Sequence, residues 1–317
     1  MKKNLLVAVL FVFLLSITAC GGELKQVQDK EITTGAKKIS VVTTLFPLYD
    51  FAKTIGGDKV NVELLLPPGV GPHSFEPKPS DVIKINESDL FVYTGDFMEP
   101  WAKDIINGLS SNVTVVDASF GINLMEEEEH EEEHEEEHHH GGVDPHIWLD
   151  FDNSQIMIDN IVRTMLEKDI VNASFYQKNV DNYKNLLRQL DNEYTTTLAK
   201  CQSKDIVYGG HYAFGYMGEK YGLAYKSAYG ISPDSEPSAQ DLVELVEQIK
   251  KEKIEFVFSE ALLSPRIAET LANETGVDIL LLNPAGNLSK ADLENQKTFL
   301  SIMQDNLANL KIGLQCS

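Results

Sequence analysis

The sequence predicts an α/β fold with two lobes, each built on a roughly four-stranded, mainly parallel sheet flanked by helices, and a long linker helix between them. Short β-rich apolar runs alternate with stretches of helical spacing in both halves of the chain. This alternation is typical of parallel sheets covered by helices. One long stretch between the halves carries a single continuous apolar face. The length of 317 residues allows two domains of ordinary size.

The first lobe is predicted from four apolar runs and the helical segments between them. The run ISVVTT at 39–44 is rich in β-branched residues, which favour strands. Pro47 suits the first turn of the helix that follows. The predicted strands are 39–44, 60–66, 90–93 and 113–116, and the predicted helices are 47–55, 81–86 and 98–106.

The second lobe repeats this pattern after the linker helix, which is predicted over 172–200. Apolar residues three or four positions apart mark one face of that helix, which at 1.5 Å per residue would span roughly 40 Å and limit hinge motion. The face consists of Tyr176, Val180, Tyr183, Leu187, Leu190, Tyr194 and Leu198. The second-lobe strands are predicted at 205–208, 224–228, 256–259 and 278–282, and its helices at 213–221, 239–251, 267–275 and 290–310.

The N-terminus has the pattern of a secretory signal, with Lys2 and Lys3 before an apolar stretch at 5–15. The sequence Ile17-Thr18-Ala19-Cys20 resembles the bacterial lipobox, in which the cysteine is lipidated; an ordinary signal peptide with an incidental cysteine is the alternative. We therefore expect an extracytoplasmic protein anchored to the bacterial cell membrane. The predicted boundaries are 1–19 for the signal peptide, 20–37 for a polar tether, 38–168 for the first lobe, 169–203 for the linker and 204–317 for the second lobe.

An acidic, histidine-rich run occupies residues 126–142 and reads EEEEHEEEHEEEHHHGG. Neutral imidazoles are good ligands for zinc, copper and nickel, and carboxylates raise the local concentration of cations. Such a run cannot form a packed core, so it predicts a disordered accessory metal loop. The alternative is a merely charged insert. The histidines of this loop are His130, His134, His138, His139 and His140.

Charge and cysteine content narrow the possible functions. The formal net charge of −22 argues against a nucleic-acid partner. Cys201 and Cys316 are compatible with either a disulfide or two free thiols in an extracytoplasmic compartment.

Three further histidines stand in loops rather than in apolar elements. His73 follows the second predicted strand in a Pro- and Gly-rich segment, His146 follows the acidic run, and His211 follows the first strand of the second lobe. In parallel sheets, ligands bind beyond the carboxyl ends of the strands. We therefore predict that the three imidazoles converge in the cleft between the lobes as a zinc-type site. For any one of them, the alternative is a hydrogen-bonded surface histidine.

Three motifs around these histidines resemble those of the metal-binding lipoproteins of ABC importers. They are GPHSFEP at 71–77, DPHIWLD at 144–150 and GHYAFGY at 210–216. The resemblance covers the mature chain. It implies two lobes joined by a rigid helix, metal bound between them, no enzymatic activity, a monomer, and delivery to a membrane permease powered by a cytoplasmic ATPase. The histidine-rich loop and the third histidine are similar to the zinc branch rather than the manganese branch.

The fourth metal ligand is where the sequence departs from that family. Family members often place an acidic residue or a histidine shortly after the position of Asn283-Pro284, whereas this chain reads Ala285-Gly286-Asn287-Leu288. Glu260, a water molecule or a loop histidine is the candidate for that position.

Other functions remain as alternatives at this point. They are a manganese-importer component or an adhesin of the same fold, a histidine-rich metal buffer, and a zinc hydrolase with Glu260 as base. The hydrolase is disfavoured because the chain has no His-Glu-x-x-His motif.

Overall fold

The described part of the chain folds around two four-stranded sheets whose strands are all parallel. In the computed structural model this part covers residues 38–126, 142–233 and 236–317. The first sheet has the order β2-β1-β3-β4 and the second β6-β5-β7-β8, which confirms the predicted fold class. The strands are β1 (Ile39–Thr43), β2 (Val60–Leu64), β3 (Leu90–Tyr93), β4 (Thr114–Asp117), β5 (Asp205–Tyr208), β6 (Ala224–Ser227), β7 (Phe256–Ser259) and β8 (Asp278–Leu281).

Helices accompany both sheets and connect them. In the described residues they are α1 (Phe46–Gly56), α2 (Pro79–Glu87), α3 (Ala102–Asn107), α4 (Phe151–Lys168), α5 (Ala173–Leu198), α6 (Gly215–Tyr221), α7 (Ala239–Glu252), α8 (Arg266–Thr275), α9 (Lys290–Glu294) and α10 (Phe299–Gly313). Short 3-10 turns occupy Gly57–Lys59, Ile147–Leu149 and Ile170–Asn172.

The linker helix α5 is confirmed and buries every residue of its predicted apolar face. Its 26 residues span about 39 Å at 1.5 Å per residue. It packs against α1 and α4 of the first lobe and against α6 and α10 of the second. The two lobes therefore share a hydrophobic core along this helix.

A buried carboxylate strengthens the junction between the lobes. Asp50 of α1 accepts hydrogen bonds from the Tyr183 hydroxyl of α5 at 3.0 Å and from the Phe299 N–H of α10 at 3.2 Å. Burial raises the pKa of Asp50 to about 6, although both hydrogen bonds and Lys53 lower it. One side chain thus joins both lobes to the linker helix.

The prediction of one last helix over 290–310 is wrong, because the chain breaks between α9 and α10. Gln296 adopts a left-handed backbone conformation with φ of 53°. Thr298 then caps α10, its side chain accepting a hydrogen bond from the Ser301 N–H at 3.2 Å. Residues 294–298 are all polar, so the apolar spacing lapses at the break, between Leu293 and Phe299.

The alternative left open for the two cysteines is settled by a disulfide between Cys201 and Cys316, which lie 115 residues apart. It joins the end of α5 to the end of α10. No helix within the described residues is long and apolar enough to cross a membrane. The predicted signal peptide, Cys20 and the tether lie outside the described residues.

Candidate metal centre

The fold brings the three predicted histidines to one place between the sheets. His73 lies in the loop that leaves β2, and His211 lies in the loop that leaves β5. His146 directly precedes the 3-10 turn that leads into α4. The carboxyl ends of parallel strands from both lobes therefore face the same cleft, as expected for ligand sites in such sheets.

The three imidazoles point their Nε2 atoms at one another. Nε2 of His146 lies 3.2 Å from Nε2 of His73 and 3.0 Å from Nε2 of His211. One ring nitrogen from each histidine lies within 4.8 Å of the others, and the described residues contain no other such group of potential metal ligands. Three nitrogen lone pairs in this arrangement can bind one cation.

Two carboxylates fix the orientation of the two buried rings. Oδ1 of Asp144 lies 2.7 Å from Nδ1 of His146 and accepts the His146 backbone N–H at 2.9 Å. Oε2 of Glu260 lies 2.7 Å from Nδ1 of His211 and accepts the His211 backbone N–H at 3.0 Å. A ring that donates its Nδ1–H to a carboxylate leaves the Nε2 lone pair for a metal, and such partners make the ligand more basic.

The electrostatics of the centre favour a neutral imidazole at His146. Burial lowers the pKa of His146 well below its usual range, and the neighbouring His211 lowers it further. Burial raises the pKa of Asp144 to about 7, while the hydrogen bond from the His146 N–H and the nearby His211 act in the opposite direction. Because metals bind the deprotonated ring, His146 is ready for a cation at neutral pH without first losing a proton.

A cavity of about 130 Å³ adjoins the three rings. Loops of both lobes line it, and Trp148 closes one side by donating its indole N–H to the Pro284 carbonyl at 2.8 Å. The lining residues are Gly71, Pro72, His73, Ser74, His146, Trp148, His211, Pro233, Glu260, Leu262, Leu263, Asn283, Pro284, Gly286 and Asn287. The space suffices for a metal ion and a few water molecules.

The segment after β8 supports the centre through its amides. Asn287 donates to the carbonyls of Pro67 and Val70 at 2.8 and 2.9 Å and so holds the loop that carries His73. The Asn283 side-chain oxygen accepts the Ala285 N–H at 2.9 Å. Both asparagines are therefore engaged in shaping loops.

Sequence reasoning did not identify Asp144, Trp148 and Asn287 as parts of the centre. Asp144 had a detectable signal, because histidine ligands usually have a carboxylate partner and Asp144 lies two residues before His146. Nothing local marks Asn287, whose partners Pro67 and Val70 lie 220 and 217 residues away in sequence.

Glu260 lies beside the metal centre, whereas the histidines of the accessory loop fall outside the described residues. Glu260 lines the cavity, but its Oε2 faces Nδ1 of His211, on the side of the ring away from the other histidines. Its role as fourth ligand stays a prediction. The five loop histidines lie within 127–141, outside the described residues. The described residues at the ends of that segment are close, with Glu126 paired to Val143 in an antiparallel bridge.

Comparisons with known proteins agree with this geometry. Residues 41–313 match the family model of ZnuA, described as zinc-uptake complex component A, periplasmic. The high-affinity zinc uptake system protein ZnuA of Bacillus subtilis is 40% identical over 281 residues, which cover 87% of this chain and 88% of that relative.

A second relative is the zinc-binding lipoprotein AdcA of Streptococcus pneumoniae, 37% identical over 279 residues, which are 86% of this chain and 55% of AdcA. The solved Zn(II)-bound ZnuA-like domain of AdcA superposes with a TM-score of 0.75 at 33% identity, covering 87% of this chain and 99% of that domain.

The laminin-binding protein Lmb of Streptococcus agalactiae is also similar, with a TM-score of 0.76, 31% identity and coverage of 88% of this chain and 100% of Lmb. It is described as a bifunctional protein with adhesin and metal-transporting activity.

Proposed function

Because this chain belongs to the ZnuA family of zinc-uptake components, we propose that it captures Zn²⁺ outside the cytoplasmic membrane and delivers it to an ABC permease driven by a cytoplasmic ATPase. The observation that carries this proposal is the convergence of three Nε2 atoms from both lobes. A binding protein whose cargo contacts both lobes can differ in shape between loaded and empty states, which a permease can recognise.

The proposed zinc ligands are His73, His146 and His211. Ligand nitrogens of a tetrahedral zinc ion lie about 3.3 Å apart when Zn–N is about 2.0–2.1 Å. The observed separations of 3.2 and 3.0 Å therefore need only a small outward movement of the rings. Three imidazoles favour zinc over manganese, which prefers oxygen ligands.

We propose that water completes the zinc coordination. Glu260 is the less favoured candidate, because its Oε2 accepts the Nδ1–H of His211 on the side of that ring away from the other two histidines. In the proposed arrangement Glu260 and Asp144 orient the ligands, and neither touches the ion. A loop histidine is the third candidate, since Glu126 and Val143 bring the ends of that segment next to Asp144.

The accessory loop and the lipid anchor complete the proposal. The loop histidines would hold zinc weakly and raise its concentration near the cleft. Lipidation at Cys20 would keep the protein at the membrane that contains its permease. The zinc-binding lipoprotein AdcA supports the anchoring by similarity.

Two alternatives are weaker than zinc delivery. A hydrolase is disfavoured because the family is one of uptake components rather than enzymes. Adhesion is a second candidate function, favoured by the similarity to the bifunctional Lmb, and it is compatible with zinc binding.

Calorimetric titration with zinc and, in parallel, manganese tests the proposal. The full chain is compared with a variant lacking residues 127–141 and with His73→Ala. We expect one tight zinc site that survives loop deletion, disappears in His73→Ala and discriminates against manganese. Loss of all tight binding on loop deletion would leave a histidine-rich metal buffer as the better interpretation.

A further inference from the structure

One short helix of the second lobe contacts both ends of the segment that carries His146. We call residues 144–150 the His146 segment. Helix α6 begins shortly after His211 in the chain. Its residues Tyr216 and Lys220 are four positions apart in sequence and therefore lie on one face of the helix. We call Tyr216 and Lys220 the α6 pair.

Tyr216 holds the start of the His146 segment. Its hydroxyl donates to the Asp144 carbonyl at 3.2 Å and accepts the Met125 N–H at 2.9 Å. Tyr216 is only 6% exposed, and burial raises the pKa of its hydroxyl to about 12, so the group is protonated and can donate at neutral pH. Because the Asp144 carboxylate accepts the Nδ1–H of His146, a shift of the Asp144 backbone would move that acceptor.

Lys220 holds the end of the His146 segment. Its ammonium donates to Oδ1 of Asp150 and to Oδ2 of Asp152, both at 2.8 Å, and lies 3.4 Å from Oδ1 of Asp191 in α5. Asp150 also accepts the Asp152 N–H at 2.7 Å and so caps α4. The Lys220 side chain is 17% exposed, and salt screens a partly buried ion pair less than a surface pair.

The middle of the His146 segment is bound from both lobes. Trp148 donates its indole N–H to the Pro284 carbonyl of the second lobe at 2.8 Å. From the first lobe, the Ser154 hydroxyl of α4 donates to the Trp148 carbonyl at 2.7 Å. The second lobe thus contacts the start, the middle and the end of the His146 segment, although this segment leads into a helix of the first lobe.

We propose that the α6 pair positions His146 for zinc, so that the helix that follows His211 also sets the place of the second buried ligand. This inference rests on the proposed function. The Nε2 atoms of His146 and His211 are 3.0 Å apart, close to the spacing of about 3.3 Å that a tetrahedral zinc ion requires. Holding two ligands in place before zinc arrives lowers the entropic cost of assembling the site. Tyr216 and Lys220 are positioning residues, which act through Asp144 and Asp150.

Zinc competition with a chelator and denaturant unfolding of the metal-free protein, both on the full chain, test this positioning. Tyr216→Phe removes the hydroxyl and keeps the ring, and Lys220→Met removes the ammonium and keeps an apolar stem. The matched controls remove similar groups elsewhere. Tyr194→Phe deletes another buried hydroxyl that donates to a backbone carbonyl, in α10. Lys184→Met deletes an ammonium of a side chain that is 20% exposed and paired with a carboxylate of α4.

We expect Tyr216→Phe and Lys220→Met each to weaken zinc binding about 3- to 10-fold, and both controls to keep the wild-type affinity. Bound cobalt(II), whose visible absorption reports the geometry of its ligands, should change its spectrum in Tyr216→Phe and keep it in Tyr194→Phe.

Unchanged zinc affinity and cobalt spectra in both α6 variants overturn the proposal, even where their stability falls, because a merely structural role would lower stability in variants and controls alike. The wild type keeps the outcomes separate. A tight wild-type zinc site with unaffected variants contradicts only the positioning role, whereas a wild type without a tight zinc site contradicts the proposed function and this inference with it.

Discussion

The two buried histidines of the metal centre obtain their carboxylate partners in different ways. His146 is held by Asp144, two residues earlier in the same loop. His211 is held by Glu260, 49 residues later and just beyond the end of β7. The first pair is formed within one loop, whereas the second forms only when β5 and β7 lie side by side in the sheet.

The surroundings of the two carboxylates differ as well. Asp144 is 2% exposed and Glu260 9% exposed. Oδ2 of Asp144 has no hydrogen-bond partner among the described residues, and a Cβ at Gly215 would come within 2.5 Å of it. The carboxylate of the pair formed within one loop is thus the less exposed of the two. The comparison indicates that the orientation of the His146 ring is fixed by its own loop. The orientation of the His211 ring is fixed by the packing of strands in the second sheet.

Removing the His146 ring should lower the zinc affinity more than any other change considered below. We expect His146→Ala to weaken zinc binding more than about 100-fold, beyond the 10- to 100-fold typical of losing a ligand's partner. Zinc competition with a chelator measures the change. His138→Ala, in the accessory loop, serves as the control and should leave the tight site unchanged. An unaltered tight site in His146→Ala would exclude this ring as a ligand.

Removing each partner charge tests the comparison directly. Asp144→Asn and Glu260→Gln should each weaken zinc binding about 10- to 100-fold, because the ring loses a charged acceptor. The loss should be greater for Asp144, since charges interact more strongly in a drier environment. The same chelator competition applies, with Asp159→Asn on the surface of α4 as the control. A greater loss of zinc affinity in Glu260→Gln would contradict this, because the more exposed carboxylate would then contribute more to zinc binding.

Asp50 is a third buried carboxylate for this comparison, and its hydrogen-bond partners are Tyr183 and Phe299 rather than a histidine. Its folded-state pKa of about 6 lies above the usual aspartate value of 3.8, so the folded protein holds this proton more tightly than the unfolded chain. Its contribution to stability is therefore lost as pH rises through about 6. We expect the metal-free protein to lose about 2 kcal/mol from this group between about pH 4.5 and 7.

Denaturant unfolding of metal-free protein at several pH values measures this loss. The contribution of Asp50 is the difference between the wild type and Asp50→Asn, because other buried acids such as Glu99 remain in both. Parallel stability–pH curves for the two proteins would contradict the raised pKa.

The smallest effect is expected from crowding Asp144 without removing it. Gly215→Ala places a methyl group against Oδ2 of Asp144, which should shift the carboxylate and weaken zinc binding by less than about 10-fold. Gly230→Ala is the matched control, because a Cβ there meets no atom within 4 Å. Equal affinities in the two variants would show that the Asp144 pocket can relax.

Features that depend on residues close together in sequence could be predicted, whereas contacts between residues far apart in sequence could not. Strand and linker positions were predictable because the apolar spacing of residues such as Tyr176 and Leu187 is local. His73, His146 and His211 were recognisable from their loop contexts and motifs. The contacts of Glu260 with His211 and of Asn287 with Pro67 depend on how strands and loops pack across long sequence distances. The break at Gln296 was missed because the apolar residues on both sides of the polar stretch 294–298 were assigned to a single helix.

The Cys201–Cys316 disulfide has a mechanical consequence. It closes β5 to β8 and α6 to α10 into a covalent ring that starts at the end of the linker helix. Tension applied between residues 38 and 317 would pass along α5 and across the sulfur–sulfur bond, bypassing the strands that hold His211 and Glu260. Pulling on the chain would therefore stretch the first lobe and the helix while the second lobe stays shielded until the bond is reduced.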